Sequence, residues 1–384
     1  MHGRTPTSHN SSFLHFHRPA KTQSRFRALA RRAHHCCRVS HTFRTKRWLT
    51  TSSRRVDAGA RSGRDDTARR VLVRVTMSHD LSAHFAVSDA RDVVWAHAVN
   101  SRSDLDEALR DTRVHMLEAD LMLAAAPRDD GAVEPAVPTA SDVLMCHPPL
   151  RSSDLTFDGF AREVLAAVRR GRVLGIKLDF KEADAVGPCL ELLRLSGLAG
   201  DDADSSDDAV RAVPVWLNAD VVRGPGGRDP IPAERFVREC ARACPRATLS
   251  LGWTHTGTPV LGYTAVMARE MLQLIRNIPQ HVTLAASAAH LFASAEGPRA
   301  ALVEAAAPAP RPDAADDADA DDASFPRSFT LWGPAPGAVR RWMRAELAPG
   351  RTYVDVKECT RAEWTVINLW AAFRPAYAPF GGRA

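Results

Sequence analysis

From Asp92 to Tyr377, short and nearly continuous apolar runs alternate with longer stretches whose apolar residues recur every three or four positions. The short runs are Asp92–Val99, Val114–Leu123, Asp142–His147, Arg172–Phe180, Val213–Asp220, Ala247–Trp253, His281–Ser287, Ser328–Gly333 and Thr352–Val356. Continuous apolar runs of this length belong to strands buried on both faces. Between them lie amphipathic helices. The segment SRSDLDEALRD offers Ser101 or Ser103 as an N-cap, and TFDGFAREVLAAVRRG places Phe157, Phe160, Val164, Leu165 and Val168 on one face before a stop at Gly171. Repeated β-then-α order predicts an α/β fold, and its length favours a (β/α)8 TIM-type barrel. A doubly wound open sheet is the alternative, although no GxGxxG follows the first strand. Nine candidate strands compete for eight staves, so one must be an edge, a cap or a misassignment.

Charge divides the chain sharply. Residues 1–84 carry 18 Lys/Arg against 4 Asp/Glu, whereas the remainder carries 33 against 41. The net charge of +6 therefore belongs to the tail, and the body is mildly acidic. Met1–Val56 holds 13 Lys/Arg and 7 His with no acid, so residues 1–90 are expected to be a disordered basic tail. This composition suits a transit peptide, which would direct the chain to a mitochondrion or plastid. Its equal is an upstream initiation codon, with Met77 beginning a cytoplasmic working chain. A basic arm for nucleic acid or anionic membrane ranks third. Residues 91–377 form the expected barrel domain, interrupted by acidic loop insertions at 200–212 and 308–326. Seven cysteines without a CxxC pair argue against a disulfide framework or a zinc ribbon, and no apolar window is long enough for a transmembrane helix. No sequence feature sets the oligomeric state.

In a parallel barrel, chemistry sits at the C-terminal ends of the strands, and the unusual residues of this chain cluster there. His97 ends the first strand and His147 the third. Glu118 and Asp120 lie two apart, so both face the same way. Lys177, Asp179 and Lys181 alternate along the fourth strand, Asn218 and Asp220 along the fifth, and Trp253 and Trp332 lie near the ends of two later strands. Ionised groups on apolar strands are costly unless paired or bound to metal. Glu118, Asp120 and Asp179 offer three hard oxygen ligands, which favour Mg²⁺ or Ca²⁺. His97 and His147 supply an acid and a base, and Lys181 a cation for developing negative charge, a set suited to phosphodiester cleavage. Taken singly, each has a structural reading: a solvated ExD edge, a hydrogen-bonded histidine, an Asp179–Lys181 pair. Five on successive strand ends weigh the other way. His115, three before Glu118, falls on the opposite face and is expected to pack beneath a helix.

The series WAHAVNS (Trp95–Ser101), HMLEADLML (His115–Leu123), MCHPP (Met145–Pro149), GIKLDFK (Gly175–Lys181), PVWLNADVVRGPGG (Pro214–Gly227) and LSLGWT (Leu249–Thr254) resembles the menorin family, with weaker echoes in GYT, LWG and YVDV. Menorin domains in turn resemble the phospholipase-C-like phosphodiesterases, a barrel superfamily that includes glycerophosphodiester phosphodiesterases and sphingomyelinase D. The resemblance implies two histidines at His97 and His147, a Glu-x-Asp pair at Glu118 and Asp120, a further acid at Asp179 and a phosphate-facing Lys181. Where that superfamily often follows its first histidine with Arg-Gly, this chain has Ala98 and Val99.

These features together predict a metal-dependent phosphodiesterase acting through a cyclic phosphate on a substrate with a neighbouring hydroxyl. His97 is assigned as acid and His147 as base. A glycerophosphodiester, a lysophospholipid or a short RNA end fits; the acidic body disfavours long nucleic acid. Lys177, Asn218, Asp220, Trp253 and Trp332 are the candidate substrate contacts, though buried tryptophan is an equal reading for the last two. The alternative function is a menorin-type binding or adhesion module without turnover.

Overall fold

All nine predicted strands form, but only eight are staves. In the computed structural model, which describes residues 80–124, 137–198, 207–255, 261–306, 327–360 and 365, the strands are β1 (Trp95–Ala96), β2 (Met116–Leu123), β3 (Val143–Met145), β4 (Gly175–Phe180), β5 (Val215–Arg223), β6 (Thr248–Thr254), β7 (Val282–Ser287), β8 (Arg327–Pro336) and β9 (Thr352–Cys359). The order β1-β2-β4-β5-β6-β7-β8-β9 is parallel throughout and makes a nearly closed TIM-type barrel. The ninth, β3, pairs antiparallel with β2 over Leu121–Leu123. Its place follows from the shortness of β1, whose pairing with β2 ends at Leu117. The upper edge of β2 is left open, and β3 fills it. His147 therefore follows a side strand rather than ending a stave, which corrects the expectation.

Helices cover the outside. They are α1 (Leu81–His84), α2 (Arg102–Arg110), α3 (Phe157–Arg169), α4 (Val186–Leu195), α5 (Asp208–Arg211), α6 (Ala233–Ala243), α7 (Ala265–Ile275), α8 (Ala288–Ala293), α9 (Glu296–Ala305) and α10 (Gly337–Glu346). Ser101 caps α2 by accepting from Asp104 N, and Thr156 caps α3 by accepting from Gly159 N. On α3, Phe157, Phe160, Val164 and Val168 are buried as their spacing required, and Gly171, at φ +92°, ends the segment.

Opposite staves touch inside the barrel. The Trp216 ring of β5 lies 5.5 Å from Trp95 of β1 and 5.0 Å from Tyr353 of β9. These strands are not neighbours in the sheet around β5, so the three side chains point inward and form an aromatic floor. Every second residue along these strands faces the same interior.

Two boundaries differ from expectation. Leu81 is fully buried and its N–H donates to the Tyr353 hydroxyl at 3.2 Å, so the folded body begins before residue 91. In the first acidic insertion, Asp207 caps α5 by accepting from Val210 N, and Val210 is buried. Residues 207–212 thus join the helical layer. Residues 1–79, 200–206 and 308–326, which carry the rest of the tail and insertion predictions, lie outside the described residues. The five described cysteines are free. No helix of the described residues is long and apolar enough to cross a membrane.

Candidate active site

Register builds the site. Glu118 lies opposite Lys177, Asp120 opposite Asp179, Asp179 opposite Asn218, and Asn218 opposite Ser250. Glu118 and Lys177 share the register of Trp216 in the floor, and two residues further along Asp120, Asp179, Asn218 and Ser250 form one polar row across β2, β4, β5 and β6. Asp220 forms the next layer on β5, where a Cβ on Gly252 would come within 2.5 Å of its Oδ1. Only glycine fits there.

Glu118, Asp120 and Asp179 converge: one carboxylate oxygen from each lies within 4.8 Å of the others. Lys181 Nζ stands over this trio, 2.9 Å from Asp120 Oδ1 and 2.6 Å from Asp179 Oδ2. Asn218 Nδ2 donates to Asp179 Oδ1 at 2.6 Å and is itself fixed by Ser250 Oγ, which donates to Asn218 Oδ1 at 2.6 Å. Lys177 is buried, with Nζ 3.9 Å from Glu118 Oε1. Lys177 and Asn218 therefore serve the acids directly. Acidic groups outnumber the lysines, and the ammonium of Lys181 already occupies a position between two of them. An all-oxygen donor set with surplus negative charge fits a hard divalent cation such as Mg²⁺ or Ca²⁺.

Electrostatics reflect the crowding. Burial pushes the Glu118 carboxyl above the ordinary glutamate value, against the pull of His97 and Lys177 and with the push of Asp120 and Asp179. Burial acts on Asp120 in the same sense, but Lys181, His147 and Asn100 overcome it and hold that carboxyl at about 2. Burial, then Asp179, lifts Asp220 to about 7 despite Lys181, Lys177 and Arg228. Burial also opposes the charge of Lys181, yet Asp120, Asp179 and Asp220 keep it protonated well above the usual lysine value.

The two imidazoles approach from different sides. His97 Nδ1 lies 2.7 Å from Asp355 Oδ2 and 3.3 Å from Glu118 Oε2. His147 is brought beside Asp120 by β3, since Cys146 N donates to Asp120 O at 2.8 Å. His147 Nδ1 is 2.6 Å from the Pro148 carbonyl, which only accepts, so Nδ1 carries a proton and Nε2 is the basic nitrogen of the neutral ring. Between His97 and the helix start at Ser101 the backbone turns through Ala98, which adopts φ +56°. The turn lets Ala98 N donate to Glu118 Oε2 at 2.8 Å and Asn100 N to Ala98 O at 2.8 Å.

Sequence reasoning left out three residues that this geometry includes. Asn100 clamps Asp120, donating from Nδ2 to Oδ2 at 2.7 Å and accepting from Asp120 N at 3.0 Å. Asp355 was legible as the residue two beyond Tyr353 in a predicted strand. His255, just after β6, packs its ring 4.8 Å from Trp332; burial, then the neighbouring charges of His290, Lys181, Arg228 and His147, lowers it to about 4. Trp332 is half-buried and opposite Asp355 in register. Trp253 does not line the site. Gly252 takes the inward position, so Trp253 faces outward, where its Nε1 donates to Met267 O at 3.1 Å and its ring packs on Tyr263. His115 also stays outside, accepting from Val94 N and stacking on Phe85 at the end of α1.

Comparison with known proteins gives the family. A family model described as the menorin N-terminal domain matches residues 89–307. The human Protein FAM151B is 32% identical over 214 residues, covering 54% of this chain and 67% of the human protein. No solved structure matches. With more than half of its length matched by that model, the chain belongs to the menorin family.

Proposed function

We propose that the chain is a metal-dependent phosphodiesterase acting on a diester with a hydroxyl adjacent to the phosphate. The observation that carries this reading is the meeting of Glu118, Asp120 and Asp179 beneath Lys181, with His97 and His147 beside them. A divalent ion held by the three carboxylates would polarise the phosphoryl group and offset its charge. His147, whose Nε2 is basic, takes the proton of the neighbouring hydroxyl as its oxygen attacks phosphorus. The bond to the leaving oxygen breaks, and His97 supplies that oxygen with a proton. The products are a cyclic phosphate and an alcohol. Lys181 stabilises negative charge on the phosphoryl oxygens, while Asn218 and Asn100 keep two of the carboxylates in place. The substrate class is a glycerophosphodiester, a lysophospholipid or a short RNA end, and the half-buried ring of Trp332, tilted at 43° against His255, is the aromatic group against which its remaining part would rest.

The test joins a diester screen to a melting experiment. Mg²⁺ or Ca²⁺ should raise the melting temperature of the wild type relative to EDTA, and not that of Glu118→Ala. His97→Ala and His147→Ala should each lower kcat by about 10²–10⁴-fold on any diester the wild type cleaves. Full turnover in both variants refutes the assignment. A fold indifferent to cations, with no diester cleaved, indicates a binding or adhesion module instead.

A further inference from the structure

The barrel seam lies between its first and last staves. Among the described residues no backbone ladder joins β9 to β1; the gap is bridged by side chains. At the level of the floor, Trp216 touches both Trp95 and Tyr353. Two residues beyond Trp95 and Tyr353, His97 just past the end of β1 meets Asp355 on β9. Asp355 faces inward because Tyr353, two residues before it, is buried against Trp216. Its side chain is only 9% exposed.

We infer that Asp355 is a positioning residue. It holds the His97 imidazole through Nδ1 so that Nε2 of the same ring delivers the proton to the leaving oxygen, and the reactive unit therefore extends to β9, beyond the family-matched residues 89–307. The inference rests on the phosphodiesterase reading. Two carboxylates border His97 Nδ1, and Asp355 is the nearer at 2.7 Å against 3.3 Å for Glu118. Glu118 Oε2 already accepts from Ala98 N, and its carboxylate belongs to the trio with Asp120 and Asp179. Asp355 lies outside that trio. A carboxylate on one imidazole nitrogen fixes ring orientation and tautomer and stabilises the protonated ring. β8 and β9 both follow residue 307, so a residue that sets the acid comes from a part of the chain that the family match does not reach.

The experiment uses the full chain with Asp355→Ala, Asp355→Glu, His97→Ala and the double variant His97→Ala/Asp355→Ala. Asp355→Ala should lower kcat by about 10–100-fold with KM nearly unchanged, and Asp355→Glu should recover part of the loss. In the His97→Ala background, removing Asp355 should lower kcat no further, because its effect passes through the imidazole. The Nδ1 proton of His97, assigned in proton spectra by its loss in His97→Ala, should leave its downfield, carboxylate-bonded position in Asp355→Ala. Full kcat in Asp355→Ala, an equal further fall in the His97→Ala background, or an unmoved Nδ1 proton overturns the inference. So does a second divalent ion per chain that is lost with Asp355, since His97, Glu118 and Asp355 would then be ligands. A wild type that cleaves no diester overturns the phosphodiesterase reading and the positioning role together, whereas a silent Asp355→Ala in an active enzyme overturns the role alone.

Discussion

Three strands carry two different materials two residues apart. Trp95, Trp216 and Tyr353 close the barrel with packed rings, while His97, just past the end of β1, and Asn218 and Asp355, on β5 and β9, each lie two residues further along the chain and form part of a charged rim. The floor gains from burial. The rim loses from it, because desolvated carboxylates are held close to one another. One alternating pattern thus sets stability beside reactivity at a separation of two residues, and the rim is tolerable because the floor beneath it is well packed.

Substitutions on either side sharpen the contrast. The largest effect on stability is expected at the floor. Trp216→Ala should cost about 3–5 kcal/mol in urea unfolding, as loss of a fully buried ring usually does; a loss under about 1 kcal/mol would break the comparison. At the rim the sign reverses. The folded value for Asp220, about 7, lies above that of an unfolded aspartate. Its contribution is therefore complete below about pH 4 and disappears as pH rises through about 7. In EDTA, Asp220→Asn should match the wild type near pH 4 and exceed it at pH 8 by on the order of 2 kcal/mol. A gap that stays constant with pH would show that charge crowding is not the cause. The smallest effect belongs to the turn at Ala98, where glycine relieves a left-handed backbone. Ala98→Gly should raise stability by roughly 1 kcal/mol in thermal melts, and no change would mean that the bond from Ala98 N to Glu118 already offsets the strain.

The barrel was legible because its signal is repetitive: each stave is an apolar run and each cover a 3.6-residue period. The carboxylate trio was legible for a related reason, since spacing of two on adjacent staves forces one face. Other features depended on contacts that no local pattern encodes. The antiparallel placement of β3 follows from the two-residue length of β1, which the apolar run Asp92–Val99 overstated. For Trp253 the sequence left substrate contact and core burial level, because an apolar run does not say which parity faces inward; Gly252, needed beside Asp220, decides for burial. The early start of the folded body hinged on a hydrogen bond between Leu81 and Tyr353, 272 residues apart. Asn100 carried no periodic signal, since it lies in the loop between β1 and α2.

The staves beyond residue 307 have a practical meaning. β7 is buried along its whole length and its outer hydrogen bonds go to β8, from Val282 opposite Arg327 to Ser287 opposite Trp332. A fragment trimmed to the matched region would present that row of amides and carbonyls as a bare, adhesive border, inviting strand exchange and aggregation. Sequence similarity marks where relatives can be aligned; the closing of the ring marks where the protein can be cut.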